Sequence, residues 1–401
     1  MLGKRHLVTL SALTLAVLSA LLLMAARPAL AQTETVLHYF TGGSDGEFPS
    51  GLTADGKGNF FGTTDTGGID GYYGTVFELS PNGQGGWNET VIYRFTGGAD
   101  GAFPLYSNVI LDSLGNLYGT TYEGGANNFG TVFELSPAGS GWTETVLYSF
   151  PSYTVGCPLN GLVRDAAGNF YGTHACDYPA GAPGAVFELS PSSAGWTEKD
   201  IYSVTLPGFS TTGLTIDAAG NIYGIGRSIA FELSPNSAGS WTPTVLHKFG
   251  SYIQGYLPEG GLVFDKAGNL YGTASAGGAY DFGTVYKLTP RKKKGRWTLT
   301  VLYSFTGGAD GGYPVWGLVF DPAGNIFGVT YNYSTVFELV APVGKGSYQE
   351  KTLWTFNGAD GGEPAGNLVL DSAGNLYGAT NTGGLQCPDD FTCGLTFEIT
   401  P

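Results

Sequence analysis

One five-residue word, Asp-x-x-Gly-Asn, recurs seven times, with its Asp at 55, 112, 165, 217, 265, 321 and 371. Self-similarity at a period of about fifty residues restricts a chain to solenoids, propellers or other repeat arrays. Inside each period lie four short β-rich runs and no helical periodicity. The second repeat shows them at 108–111, 116–121, 130–135 and 142–150. We label these runs strands a, b, c and d. The word itself is the a–b turn: its Asp accepts N–H groups across the turn and its Gly supplies the left-handed backbone of a tight hairpin. Ser-Pro followed by Gly and Ser residues reads as the c–d hairpin. Four antiparallel strands per repeat predict an all-β propeller blade.

The ends set the blade count. Residues 33–40 form an orphan d-type strand, and residues 394–399 a c-type strand with no d after it. Joined, they complete one blade and close a ring of seven four-stranded blades, which leaves no open sheet edge. Residues 32–401 therefore read as a single propeller domain.

The full pattern is Pro…Gly-Leu-Val-x-Asp-x-x-Gly-Asn-Leu-Tyr-Gly-Thr-Thr…Gly-Thr-Val-Phe-Glu-Leu. It closely resembles the GloVer-type tandem repeat of bacterial exported proteins and is more distantly similar to NHL-type propeller repeats. The resemblance covers about residues 33–401. It implies an extracytoplasmic repeat protein, and it brings no established activity and no catalytic residues. Relatives of this kind often end in a sorting module; none is read before Pro401, so covalent surface attachment is not expected.

The amino terminus agrees with export. Lys4 and Arg5 precede an apolar run from Leu7 to Ala26, which ends on Arg27, Pro28 and Ala29-Leu30-Ala31. This is the layout of a signal peptide at residues 1–31. The run is long enough for an uncleaved anchor, but Pro28 and the small-x-small site favour cleavage after Ala31. The mature chain keeps fifteen basic and thirty-three acidic residues, a formal charge of −18. That charge disfavours nucleic acid and anionic lipid as partners. With no second apolar segment, a soluble, monomeric, secreted or periplasmic protein is expected. The basic run 291–296 reads as a solvated hairpin tip. The four cysteines suit an oxidising compartment and are expected as two bridges, Cys157 with Cys176 and Cys387 with Cys393.

In a propeller the d–a and b–c loops share one face. Here those loops vary while the a–b turns do not, which makes that face the candidate binding surface. Four d–a loops carry Asp45, Asp100, Asp310 and Asp360; the others offer Tyr153, Phe209, Tyr252 and Tyr256. The acidic arc could hold Ca²⁺ and the aromatic arc could stack on sugars. The alternative is that each Asp caps its own Gly-rich turn. No other cofactor is expected. Strand c carries Glu78, Glu134, Glu188, Glu232, Glu338 and Glu398 as a repeated structural bond, with Lys287 departing from the series. Among the mature histidines, only His174 lies near the variable face. No catalytic motif is present. The expected function is a non-catalytic scaffold that binds a glycan or protein. The rival readings are a hydrolase or lyase with a Ca²⁺-assisted site at the channel mouth, and a purely structural adhesive protein.

Overall fold

The computed structural model describes residues 32–68, 72–176, 184–204, 213–226, 228–237, 239–291, 297–384 and 392–400. They form seven antiparallel sheets arranged as propeller blades. The expected closure is present: Thr33–Tyr39 pairs with Leu395–Thr400, in register from Thr33 opposite Thr400 to Tyr39 opposite Leu395. The first blade carries one extra short strand, Glu47–Pro49, beside Phe60–Thr66. Among the described residues no helix is long and apolar enough to cross a membrane. Residues 1–31 lie outside the described residues.

The a–b turn works as its residues predict. Asp112 Oδ1 accepts the N–H groups of Leu114 and Asn116, and Asn116 Nδ2 donates to Oδ2. The same Asn-to-Asp bond recurs in all seven blades. Burial pushes the Asp112, Asp165, Asp217 and Asp265 carboxyls up, but these bonds and a Tyr hydroxyl more than offset it and hold each below the usual range. The c–d hairpin differs from expectation. Ser136 and Pro137 stay in strand c, opposite Thr143 and Trp142, and the turn falls beyond Ala138. Pro tolerates this position because the hairpin end is an edge, where its missing N–H breaks no ladder bond.

The core lies between neighbouring blades. Phe61, Val76 and Phe95 of the first blade pack on Val109, Leu117, Phe133 and Leu135 of the second. Each blade repeats one lock: a strand-b Gly lies under the ring of a strand-c aromatic. A Cβ added at Gly119 would stand 2.6 Å from Phe133 Cζ, and the other six blades are as tight. In the fifth blade the ring belongs to Tyr286, whose hydroxyl is buried with no hydrogen-bond partner. Stranding a buried hydroxyl costs about 1–3 kcal/mol. Tyr286→Phe, which restores the residue of the other blades, should therefore raise the unfolding free energy by about 1–2 kcal/mol. An unchanged or lower midpoint in denaturant would count against this account.

A second device ties blade to blade. Phe103 adopts φ 55°, and its N–H donates to Tyr73 O of the preceding blade, which sets Pro104 against Gly74. Phe48, Cys157 and Tyr313 repeat this left-handed step before proline, against Cys393, Phe129 and Phe282. A bulky residue there costs about 1–2 kcal/mol locally, so the inter-blade contact must hold it in place.

Candidate ligand-binding face

Each d–a loop starts at the outer strand and runs inward to strand a, so its last residues line the axis. There the repeats diverge. The mouth of the channel on the d–a and b–c side is lined by Tyr106, Asn108, Asn160, Glu259, Trp316 and Asn367, among others. Tyr106 and Trp316 enter from the second and sixth blades and meet across the axis, with ring centroids 5.7 Å apart. Trp316 Nε1 donates to Pro364 O at 2.8 Å, and Asn367 Oδ1 accepts the Gly317 N–H at 2.7 Å. Asn108, Asn160, Gly213 and Asn367 also border the cavity on the opposite side, so they form the waist of the channel.

Beneath Tyr106 lies a buried carboxyl. Asp65 accepts from Ser50 Oγ at 3.0 Å and from the Tyr106 N–H at 3.2 Å. Burial raises it to about 7, against the opposing effect of those two bonds. Tyr106 itself sits at φ 51° and is 43% exposed, so Asp65 pins a strained platform whose ring faces solvent. Glu259 is raised by burial, partly offset by a bond to Ser275. Tyr331 donates to Glu363 at 3.0 Å. The cavity at the mouth holds about 60 Å³. That is far below the several hundred Å³ of a site that engulfs a drug-sized ligand. Anything larger than a ring edge must lie across the mouth.

The acidic arc does not converge. Asp100 accepts from the Thr96 N–H at 2.8 Å, from Thr96 Oγ1 and from Tyr93 Oη at 3.1 Å. Asp310 makes the same three bonds to Thr306 and Tyr303. Asp45 accepts from Thr41 and lies 3.2 Å from His38 Nε2, and Asp360 accepts from Asn357. Each carboxylate thus closes its own loop at the outer strand. Of the aromatic arc, Tyr153, Tyr252 and Tyr256 are exposed, and Tyr252 stacks on Tyr256 at 5.8 Å. Phe209 lies outside the described residues. Tyr153 and Tyr252 sit near the starts of their loops, and Tyr256 lies farther along, its N–H donating to Ala276 O. Sequence reading missed Tyr106 and Trp316. Their signal was positional: the residues just before each Gly-Leu or Asn-Val strand start vary where the rest of the repeat does not.

Exposed aromatics separate the two faces. Among the described residues they are Tyr39, Tyr72, Tyr106, Tyr153, Tyr252, Tyr256 and Tyr280, all on the d–a and b–c side. The exposed apolar residues of the a–b and c–d turns are Leu114, Val340 and Val343.

The strand-c residues and the described disulfide are structural in their contacts. Tyr118 Oη donates to Glu134, and Trp241 Nε1 donates to Glu188 across a blade seam. Lys287 lies 3.8 Å from Asp265 of its own a–b turn and over the Tyr271 ring, which accounts for its departure from glutamate. The Cys157–Cys176 bridge is formed. Cys387 and most of the basic run lie outside the described residues.

No curated protein matches the sequence. Among solved structures, a streptogramin B lyase superposes with a TM-score of 0.58 at 14% identity, over 92% of this chain and 97% of that one. Catalytically inactive virginiamycin B lyase from Staphylococcus aureus, bound to quinupristin, gives 0.57 at 13%, over 92% and 99%. The periplasmic gluconolactonase of Pseudomonas aeruginosa gives 0.53 at 17%, over 79% and 86%. At these identities the likeness is one of fold. Kinship in sequence comes from the repeat itself. The Gloeobacter/Verrucomicrobia repeat matches residues 26–229 and 225–401, and this is the family to which the chain belongs.

Proposed function

We propose that this protein is an exported binding propeller that holds carbohydrate on its tyrosine-bearing face, with the axial mouth as the principal subsite. The observation that carries this reading is the meeting of Tyr106 and Trp316 across the axis above a waist of asparagine amides. Aromatic faces stack on the apolar face of a sugar ring, while amides and carboxylates bond its hydroxyls. Tyr153, Tyr252, Tyr256 and Tyr280 extend the surface outward, as suits a polymer lying across the face. The Cys157–Cys176 bridge fits an oxidising compartment, and a signal peptide at residues 1–31 completes the reading.

The test is a glycan array probed with residues 32–401, followed by calorimetry on the best binder. Trp316→Ala and Tyr106→Ala should each weaken binding about tenfold, near 1.4 kcal/mol, while Leu114→Ala on the other face should not. Equal affinity in all three variants would remove the mouth from the reading. The competing hydrolase or lyase reading draws on Asp65, a carboxyl that burial raises to about 7 beside the mouth. Chromatography of the bound glycan after incubation separates the two, since only an enzyme leaves shortened products.

A further inference from the structure

We propose that His174, Glu198 and Asp200 form a divalent-metal site, best suited to Zn²⁺, at the outer seam between the second and third blades. Their ligand atoms all lie within 4.8 Å of one another. His174 Nε2 stands 2.7 Å from Asp200 Oδ1. The His174 ring is 1% exposed, and Glu198 Oε1 is shielded from solvent with no hydrogen-bond partner. Tyr148 Oη of the second blade reaches the other Glu198 oxygen at 3.5 Å.

The repeat shows how unusual this arrangement is. A glutamate recurs at this strand-d position as Glu34, Glu89, Glu144 and Glu350. The two groups that join it occur in the third blade alone. Asp200 lies opposite Phe187, a place filled by Val36, Val91, Val146, Val245 or Val301 in five other blades. His174 ends strand b, where Thr64, Thr121, Thr330 and Thr380 stand elsewhere. Its strand-c partner is Ala185 in place of the usual threonine, which leaves room for the imidazole. The chain's one described disulfide is in the same blade, and the Ala175 N–H donates to Cys157 O beside it. Departures from the repeat thus meet at one seam, whereas the orphaned glutamate oxygen itself is common to the repeat, since Glu34, Glu89 and Glu144 Oε1 also lack a partner.

One imidazole and two carboxylates match the ligand chemistry of Zn²⁺ better than that of Ca²⁺, which takes oxygen alone. Bonds of about 2.0–2.2 Å place ligands near 3.0–3.6 Å apart. To meet that spacing the 2.7 Å His174–Asp200 pair must open slightly and the Glu198 carboxylate must turn toward it. Bound metal would also partner the orphaned Glu198 oxygen, and three protein ligands leave a coordination position for water. The site is independent of the axial mouth.

The experiment titrates Zn²⁺ into the tag-free, EDTA-stripped chain 32–401 by calorimetry, with Co²⁺ absorption as a second readout. One saturable site is expected, with the visible bands of an ordered nitrogen–oxygen Co²⁺ centre. Asp200→Val and His174→Thr restore the residues of other blades, so both should fold, which melting in EDTA verifies. Each should weaken binding at least about tenfold and remove the Co²⁺ bands. Absence of saturable binding in the parent, or undiminished binding in either folded variant, overturns the site.

Discussion

Gly130→Ala should abolish folding or lower the unfolding free energy by more than about 3 kcal/mol. Gly130 opens strand c of the second blade at φ 91°, a conformation that L-residues rarely adopt. Its added Cβ would stand 2.2 Å from Thr121 O and 2.6 Å from Pro158 Cδ. Backbone and a proline ring of the next blade cannot swing aside as a flexible side chain could. The control is Gly115→Ala. Its φ is nearly the same, 90°, but the nearest foreign atom is Pro137 Cγ at 3.8 Å. It should cost only the left-handed penalty, about 1–2 kcal/mol. Urea unfolding of both variants separates crowding from conformation, and equal losses would mean that the blade-to-blade contact is not what makes Gly130 necessary.

The second large effect is an inverted pH dependence. Strand-d glutamates Glu34, Glu89 and Glu144 are each raised to about 7, chiefly by burial. The charge of a d–a loop aspartate of the preceding blade adds to this: Asp360, Asp45 and Asp100 in turn. At Glu89, His38 and Arg94 oppose it. A carboxyl raised in the folded state holds its proton while the unfolded chain, near the ordinary 4.5, has released it. Its stabilisation is complete below about 4.5 and is lost as pH rises through 7. These groups are half-exposed, so screening reduces each contribution to about 1 kcal/mol. His247, lowered by burial, acts against them below its ordinary value. The turn-capping Asp45 and Asp310, held low by their loop bonds against burial, lose stability only in stronger acid. The midpoint should therefore be about 3–5 °C higher at pH 5 than at pH 8. The triple variant Glu34→Gln, Glu89→Gln, Glu144→Gln should make that profile shallower, leaving the part that buried Asp65 contributes, and gain stability at pH 8. A midpoint that climbs from pH 5 to pH 8 in the parent would refute the assignment.

The architecture was legible because it is local. Asp112 to Asn116 specifies its turn within five residues, and each repetition makes the same statement again. Closure could be read from residues 33–40 because a d-type word without its a, b and c has one place to go. The site was legible only as a face. Tyr106 and Trp316 are separated by four blades in sequence, and nothing in either loop says that the two rings bridge the axis. The acidic arc was ambiguous in a different way. A Gly-Ser/Ala-Asp-Gly word shows that an Asp is present, but not that Thr96 and Tyr93 already occupy its oxygens. His174 stood out alone, but its meeting with Asp200 was hidden by a strand-d irregularity between Val186 and Phe187, which shifts the partner of Phe187 to Asp200. Alternation along the strand does not foretell that shift.

The pairing of Thr33–Tyr39 with Leu395–Thr400 has a consequence in time. Six blades can assemble as the chain is produced, each from neighbouring segments, but the seventh needs the first and last strands together. Until Leu395, Phe397 and Ile399 arrive, Val36, Leu37 and Phe40 have no sheet of their own. Every strand c bears nearly the same wording, so the waiting first strand meets six near-copies of its partner before the true one. Each of those copies is claimed by the d strand that directly follows it through a hairpin, and a short loop closes at far lower entropic cost than one of more than three hundred residues. Hairpin speed thus keeps the wrong partners occupied, and the last blade is left vacant for the strand that came first.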